Sequence, residues 1–220
     1  MTTVLAVLNQ KGGAGKTTLS TNIARKLLLD GERVLLVDSD PQGSARDWSA
    51  ASDGHCLTVV GLDRPTLDKD LTQVKEGYDW IIIDGAPQIQ QMAASAIKAA
   101  DLVLIPVQPS PYDIWACSDL VELIKTRQQV TDGEPKAAFV ISRAIKNTLL
   151  GNEIRQALTE YGLPMLINQT VQRQIYARSA AEGLTPMDAE PNGEATKEIS
   201  ALVREIKNFI AGGVVHVVNG

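Results

Sequence analysis

Between Thr3 and Asp38 the chain runs from an apolar, β-branched stretch (TVLAVLN) through a glycine-rich turn (QKGGAGKTT) into a helical pattern, then out into a second apolar stretch, RVLLVD. This is the most constraining feature of the sequence, because strand, glycine loop, helix and strand together make one βαβ unit. Leu19, Ile23 and Leu27 recur at a spacing of four and Gly31 stands where a C-terminal cap belongs, so a helix is expected over about Lys16 to Asp30. Gly12, Gly13 and Gly15, with Ala14 among them, leave the backbone free to wrap an anion with its N–H groups, and the helix behind them points its positive end at the same place. From there Lys16 can reach β- and γ-phosphate oxygens and the Thr17 hydroxyl can ligate Mg²⁺. The ordinary G-x-x-x-x-G-K-[ST] spacing is not met, since Gln10 replaces the first glycine and a second lysine, Lys11, stands five positions ahead of Lys16.

The alternation continues along the chain. Strands are expected at LTVVGL near Leu57, WIIID at Trp80 to Asp84, LVLIPV at Leu102 and AAFVIS at Ala137, with a short one near Met165. Helices are expected around Leu67 to Lys75, Ile89 to Ala100, Tyr112 to Val130, Gln172 to Glu182 and Glu194 to Ile210. Near-continuous apolar strands are those of a sheet buried on both faces, so the fold class expected is α/β, a mostly parallel twisted sheet with helices on both faces. No repeat or linker divides the chain, and one domain over residues 1–211 is expected, with residues 212–220 as a tail. The tail's VVHVV could be an edge strand, a partner contact or an appended remnant.

At 44% hydrophobic and 21% charged, the composition excludes wholesale disorder and fibrous classes. No apolar run of membrane-spanning length and no secretory signal stand in the sequence, so a cytoplasmic protein is expected. Cys56 and Cys117 lack metal-site spacing and read as small buried apolar residues. The net charge of −5 argues against a surface that grips nucleic acid all over, but the imbalance is local. Residues 1–142 hold 13 Lys/Arg against 18 Asp/Glu, whereas residues 143–220 hold 8 of each, leaving room there for a basic face.

Lys11-Gly-Gly-Ala-Gly-Lys16-Thr17-Thr18 resembles the deviant Walker A motif of the ParA/MinD group of P-loop ATPases. Three further stretches match that family in order: Asp38-Ser-Asp40-Pro-Gln resembles its switch I, Ile81-Ile-Ile-Asp84 with Ala86-Pro87 its Walker B and switch II, and Pro106-Val-Gln-Pro-Ser110 the segment after the next strand. The resemblance implies ATP and Mg²⁺ as cofactors and a nucleotide-sandwich homodimer in which Lys11 reaches the partner's phosphates. It gives Asp40 the task of orienting the attacking water, Asp38 and Asp84 that of acting on Mg²⁺, and Thr18 a phosphate contact. A loose, charge-dispersed transition state needs positive charge from both sides, which Lys16 and a Lys11 arriving in trans would supply; with Asp40 they form the catalytic set that the resemblance implies. Asp38 could instead merely cap the turn that follows its strand. The family's adenine pocket draws on the end of the strand after the long helix, where Ser142 and Arg143 stand and the usual Asn is missing.

Over its whole length the chain is most similar to the small, ParF-like ParA partition proteins, whose ATP dimer binds DNA without sequence preference and is released by a ParB-like, centromere-binding partner. The implied setting is cytoplasmic and nucleoid-associated, without a membrane. Candidate DNA contacts are Arg143, Lys146, Arg173, Arg178, Lys197, Arg204 and Lys207. Plasmid or chromosome partition is therefore the expected function. Positioning a protein cargo over the nucleoid, or activating a small metabolite, are the alternatives.

Overall fold

The computed structural model describes residues 2–87, 90–145 and 150–213, without the side chains of residues 150–153. The tail's VVHVV, with its three open readings, and the candidate Lys146 lie outside the described residues. Among the described residues six strands, β1 (Thr3–Val7), β2 (Val34–Asp38), β3 (Val59–Gly61), β4 (Trp80–Asp84), β5 (Leu102–Val107) and β6 (Lys136–Ile141), form one sheet in the order β3-β2-β4-β1-β5-β6. Every pairing is parallel. Among the described residues ten α-helices connect or flank them: α1 (Lys16–Leu29), α2 (Ser44–Ala50), α3 (Leu67–Asp70), α4 (Gln90–Ala99), α5 (Pro111–Trp115), α6 (Ser118–Gln129), α7 (Leu150–Thr159), α8 (Gln174–Ala180), α9 (Pro186–Ala189) and α10 (Glu194–Ile210).

The apolar runs are continuous because both faces of the sheet are covered. In β1, Val4 and Ala6 point into a core shared with Met92 and Ile97 of α4 and Leu120 and Ile124 of α6. Leu5 and Val7 point the other way, against Leu19, Ile23 and Leu27 of α1 and Ile199, Leu202 and Ile206 of α10. Side chains alternate at period 2 on each strand, so two buried faces demand two apolar sets from every strand. Among the described residues no helix is long and apolar enough to cross a membrane.

Three expectations are corrected locally. The helix expected over Tyr112 to Val130 is two helices, because the Cys117 amide turns back to Ile114 O, three residues earlier, and the chain tightens over a fully buried Cys117. The stretch from Leu67 breaks after Asp70 into two short 3₁₀ turns, Leu71–Gln73 and Lys75–Gly77. Near Met165 there is only an isolated parallel bridge to Phe139. There Pro164 accepts from Phe139 N at 2.9 Å but has no N–H to extend a ladder.

The register places Val7, Asp38 and Asp84 side by side, so their carboxyl-terminal ends share one edge of the sheet. The chain leaves β1 for β2 on one side, while β5 lies on β1's other side. That reversal of direction is where open α/β sheets form a ligand crevice.

Candidate functional site

The glycine loop crosses this edge between β1 and α1. Gly13 and Gly15 have φ of +77° and +98°, conformations that disfavour any side chain. At Gly15 the constraint is doubled, since a Cβ there would lie 2.4 Å from Ser142 Oγ, itself buried at the end of β6. Gly15→Ala is therefore expected to cost about 1–3 kcal/mol of stability, read by urea denaturation, and a Gly15→Ala/Ser142→Gly pair should recover only the part due to the clash.

Lys16 is 7% exposed, and its Nζ donates to Lys11 O at 2.9 Å. Burial lowers its pKa from the ordinary value, while Asp84 and Asp40 oppose that shift. It makes no ion pair within 4.0 Å among the described residues, so the ammonium is held across the loop with its charge uncompensated by direct contact. An anion in the loop would relieve it.

Asp84 is completely buried, and burial pushes its pKa up to about 7, partly offset by the Thr17 and Ser20 hydroxyls and by Lys16; Asp38 raises it further. Ser20 Oγ donates to Asp84 Oδ1 at 3.1 Å, whereas Oδ2 has no partner. An orphaned carboxylate oxygen behind the Thr17 hydroxyl fits a hydrated divalent cation, which takes one or two protein ligands and completes its shell from phosphate and water. Asp38 is buried but occupied: Oδ1 accepts from Asp40 N at 3.1 Å, and Oδ2 from Arg46 N at 2.9 Å and Arg46 Nε at 3.4 Å. These bonds cap its turn and the start of α2, the alternative open from sequence. Asp40 is half-buried, with Oδ1 accepting from Gln42 N at 3.0 Å.

Thr18, Ser142 and Arg143 line one cavity of about 900 Å³, together with Thr170, Gln172 and Tyr176. Arg143 stands at φ +54°, a left-handed conformation that Asn adopts more readily than Arg. Ser142 and Arg143, named from sequence for the adenine pocket, thus border the same cavity as Thr18.

Sequence reasoning missed the group that fixes Lys11. Its Nζ pairs with Asp113 Oδ2 at the start of α5, its amide donates to Asn9 Oδ1 at 2.8 Å, and Asn9 Nδ2 reaches Pro106 O at 2.7 Å. Asp113 is 2% exposed and its Oδ1 has no partner. The signal for Asn9 was present, a polar residue closing an apolar strand. None marked Asp113, because its burial comes from packing under the loop.

Four candidate DNA contacts have a carboxylate beside them: Arg173 has Glu198 at 2.5 Å, Arg178 Glu190 at 2.6 Å, Lys197 Glu194 at 2.8 Å and Lys207 Glu32 at 2.8 Å. Arg143 and Arg204 are exposed.

The model of the CobQ/CobB/MinD/ParA nucleotide binding domain matches residues 5–187. The chain is 31% identical over 207 residues to the "Maintenance of carboxysome distribution protein A" of Halothiobacillus neapolitanus, covering 92% of this chain and 95% of that protein. It is 32% identical over 238 residues to the "Chromosome-partitioning ATPase Soj" of Thermus thermophilus, covering 92% and 94%. Among solved structures, cobyrinic acid a,c-diamide synthase from Mycobacterium smegmatis, with bound ATP analog and magnesium, superposes with a TM-score of 0.77 at 20% identity over 100% of both chains, a likeness of fold. With a glycine cradle, a buried lysine and an orphaned carboxylate on one sheet edge, the chain belongs to the CobQ/CobB/MinD/ParA nucleotide binding domain family and has the P-loop ATPase fold of its ParA/MinD members.

Proposed function

We propose that the chain is a Mg²⁺-dependent ATPase that dimerises on ATP, holds nonspecific DNA as a dimer, and moves a DNA or protein cargo through a ParB-like or other adaptor partner. The observation that carries this is the pair of lysines on one loop: Lys16 buried at the cradle, and Lys11 at the rim with its side chain 38% exposed. That difference in exposure supports a division in which Lys16 serves its own subunit's ligand and Lys11 a facing subunit's. Thr17, with Asp84 behind it, would hold Mg²⁺, which supplies charge neutralisation across the phosphate oxygens when bound. Asp40 lies on the β2–α2 segment, where its carboxylate orients a water, and Lys16 steadies the charge that develops as the bond breaks.

Kinship to a Soj ATPase supports DNA partition as the task, and equal kinship to a carboxysome distribution protein supports a protein cargo. The cycle proposed for this chain would serve either task. The test is retention of the full chain on nonspecific DNA, expected with ATP and Mg²⁺ at low salt, absent with ADP, and lost steeply as salt rises. Retention indifferent to the nucleotide would overturn the switch, and ADP release that depends on a small metabolite and not on DNA would favour metabolite activation. Asp40→Ala is expected to keep ATP binding, cut hydrolysis at least tenfold and accumulate the ATP dimer; undiminished turnover would remove Asp40 from the reaction.

A further inference from the structure

The side chain of Arg46, in the first turn of α2, is turned back on the segment that leaves β2. Its Nη2 donates to Asp40 O at 3.0 Å and to Pro41 O at 3.5 Å, and its Nε to Asp38 Oδ2 at 3.4 Å. Among the described residues, every hydrogen bond of this side chain therefore ends within residues 38–41. Asp63 Oδ2 stands farther off, at 4.0 Å from Nη2.

The guanidinium lies in a slot between two glycines. A Cβ on Gly43 would stand 3.2 Å from Nε and Nη2, and one on Gly61, the last residue of β3, 2.9 Å from Nη1 and 3.0 Å from Cδ. Gly61 is in register with Asp38, so the slot opens at the sheet edge that carries the site. A planar fork of donors fits such a space and can hold a carboxylate and a carbonyl at once, which a single ammonium cannot do in the same geometry.

Asp40 is the residue that this fork restrains. Its amide donates to Asp38 Oδ1 at 3.1 Å, and its carbonyl accepts from Gly43 N at 2.9 Å as well as from Arg46. With both backbone polar groups tied, the Cα that carries the carboxylate has little freedom to move. Oδ1 accepts from Gln42 N at 3.0 Å, and Oδ2 has no hydrogen bond among the described residues. Asp40 also acts on Lys16, opposing the fall in its pKa, so the restrained carboxylate lies within electrostatic reach of the cradle.

We propose that Arg46 is a positioning residue for ATP hydrolysis: by holding the Asp38 carboxylate and the Asp40 carbonyl on one guanidinium, it fixes the Asp40 carboxylate where it orients the attacking water. The inference rests on the role proposed above for Asp40. Arg46 acts through Asp40 and not on the nucleotide, so its loss should be felt in turnover and not in binding. A reacting group displaced by about 1 Å can cost as much as a factor of 10².

The test reads three quantities on the full chain with ATP and Mg²⁺: ATP affinity by calorimetry, the ATP dimer by sizing chromatography, and turnover at saturating ATP. Arg46→Ala keeps the backbone amide that donates to Asp38 at 2.9 Å, so the turn retains its cap. It is expected to cut turnover about tenfold or more while affinity and dimer persist. Gly61→Ala, in a strand conformation that alanine adopts, displaces the guanidinium without removing it and should slow turnover in the same way. In an Asp40→Ala background, Arg46→Ala should lower turnover no further, because residues acting in series are not additive. Parental turnover in Arg46→Ala, a parallel loss of affinity, dimer and turnover, or an additive loss in the double variant would overturn the proposal and leave the Asp40 role standing. Parental turnover in Asp40→Ala alone would instead overturn the Asp40 role, and this inference with it.

Discussion

Lys16→Ala is expected to lower ATP affinity and turnover at least a hundredfold while leaving the unliganded fold intact. Two observations set those opposite signs. The ammonium is 7% exposed with no carboxylate in direct contact, and burial lowers its pKa, so in the empty protein it is a desolvated charge rather than a stabilising one. Its single bond, to Lys11 O, contributes about 1 kcal/mol, comparable to the strain its removal relieves. Once a triphosphate lies in the loop, the same ammonium meets several negative oxygens in a site of low dielectric. Loss of a preorganised donor there costs roughly a factor of 10² to 10³. Thermal unfolding without ligand should shift by little, and the ATP-induced rise in melting temperature should vanish. A variant that still hydrolyses ATP at the parental rate would take Lys16 out of the reaction.

That contrast also marks what the sequence could disclose. The cradle was legible because its logic is local: three glycines, a lysine and a hydroxyl between a strand and a helix that its own periodicity defines. The strands were legible for a similar reason, since burial on two faces leaves no polar interruptions in a run such as LVLIPV. The order β3-β2-β4-β1-β5-β6 is not written in any segment, because parallel pairing is set by helices packing across the sheet. α2 and α9 escaped notice as short helices, held by long-range contacts such as Trp48 to Leu184 O and Arg25 to Asp188, and α7 was missed as well. The basic face was the least legible part. Charge counting assigns residues 143–220 a neutral balance, but not that Arg173, Arg178, Lys197 and Lys207 each have a carboxylate beside them. Pairing of that kind depends on which helix faces which, and Arg173 with Glu198 spans 25 residues.

Lys11→Ala is expected to retain ATP binding and lose ATP-induced dimerisation, with a second effect that must be separated from the first. Removing the ammonium strands Asp113, a carboxylate 2% exposed whose other oxygen already lacks a partner. An uncompensated buried charge costs about 1–3 kcal/mol or more, so the single variant should also be less stable, and a failure to dimerise could be blamed on a loosened α5. Asp113→Asn in the same chain removes the stranded charge, since an amide carries none. The Lys11→Ala/Asp113→Asn variant should recover most of the lost stability in urea yet still elute as a monomer with saturating ATP and Mg²⁺. Asp113→Asn alone releases Lys11 from its intramolecular partner, and its ATP dimer should form at lower protein concentration than the parent's. The two shifts have opposite signs, which a purely structural role for the pair cannot produce, because both substitutions would then act through the same weakened loop. A normal ATP dimer in the double variant would mean that the Lys11 ammonium acts only within its own subunit.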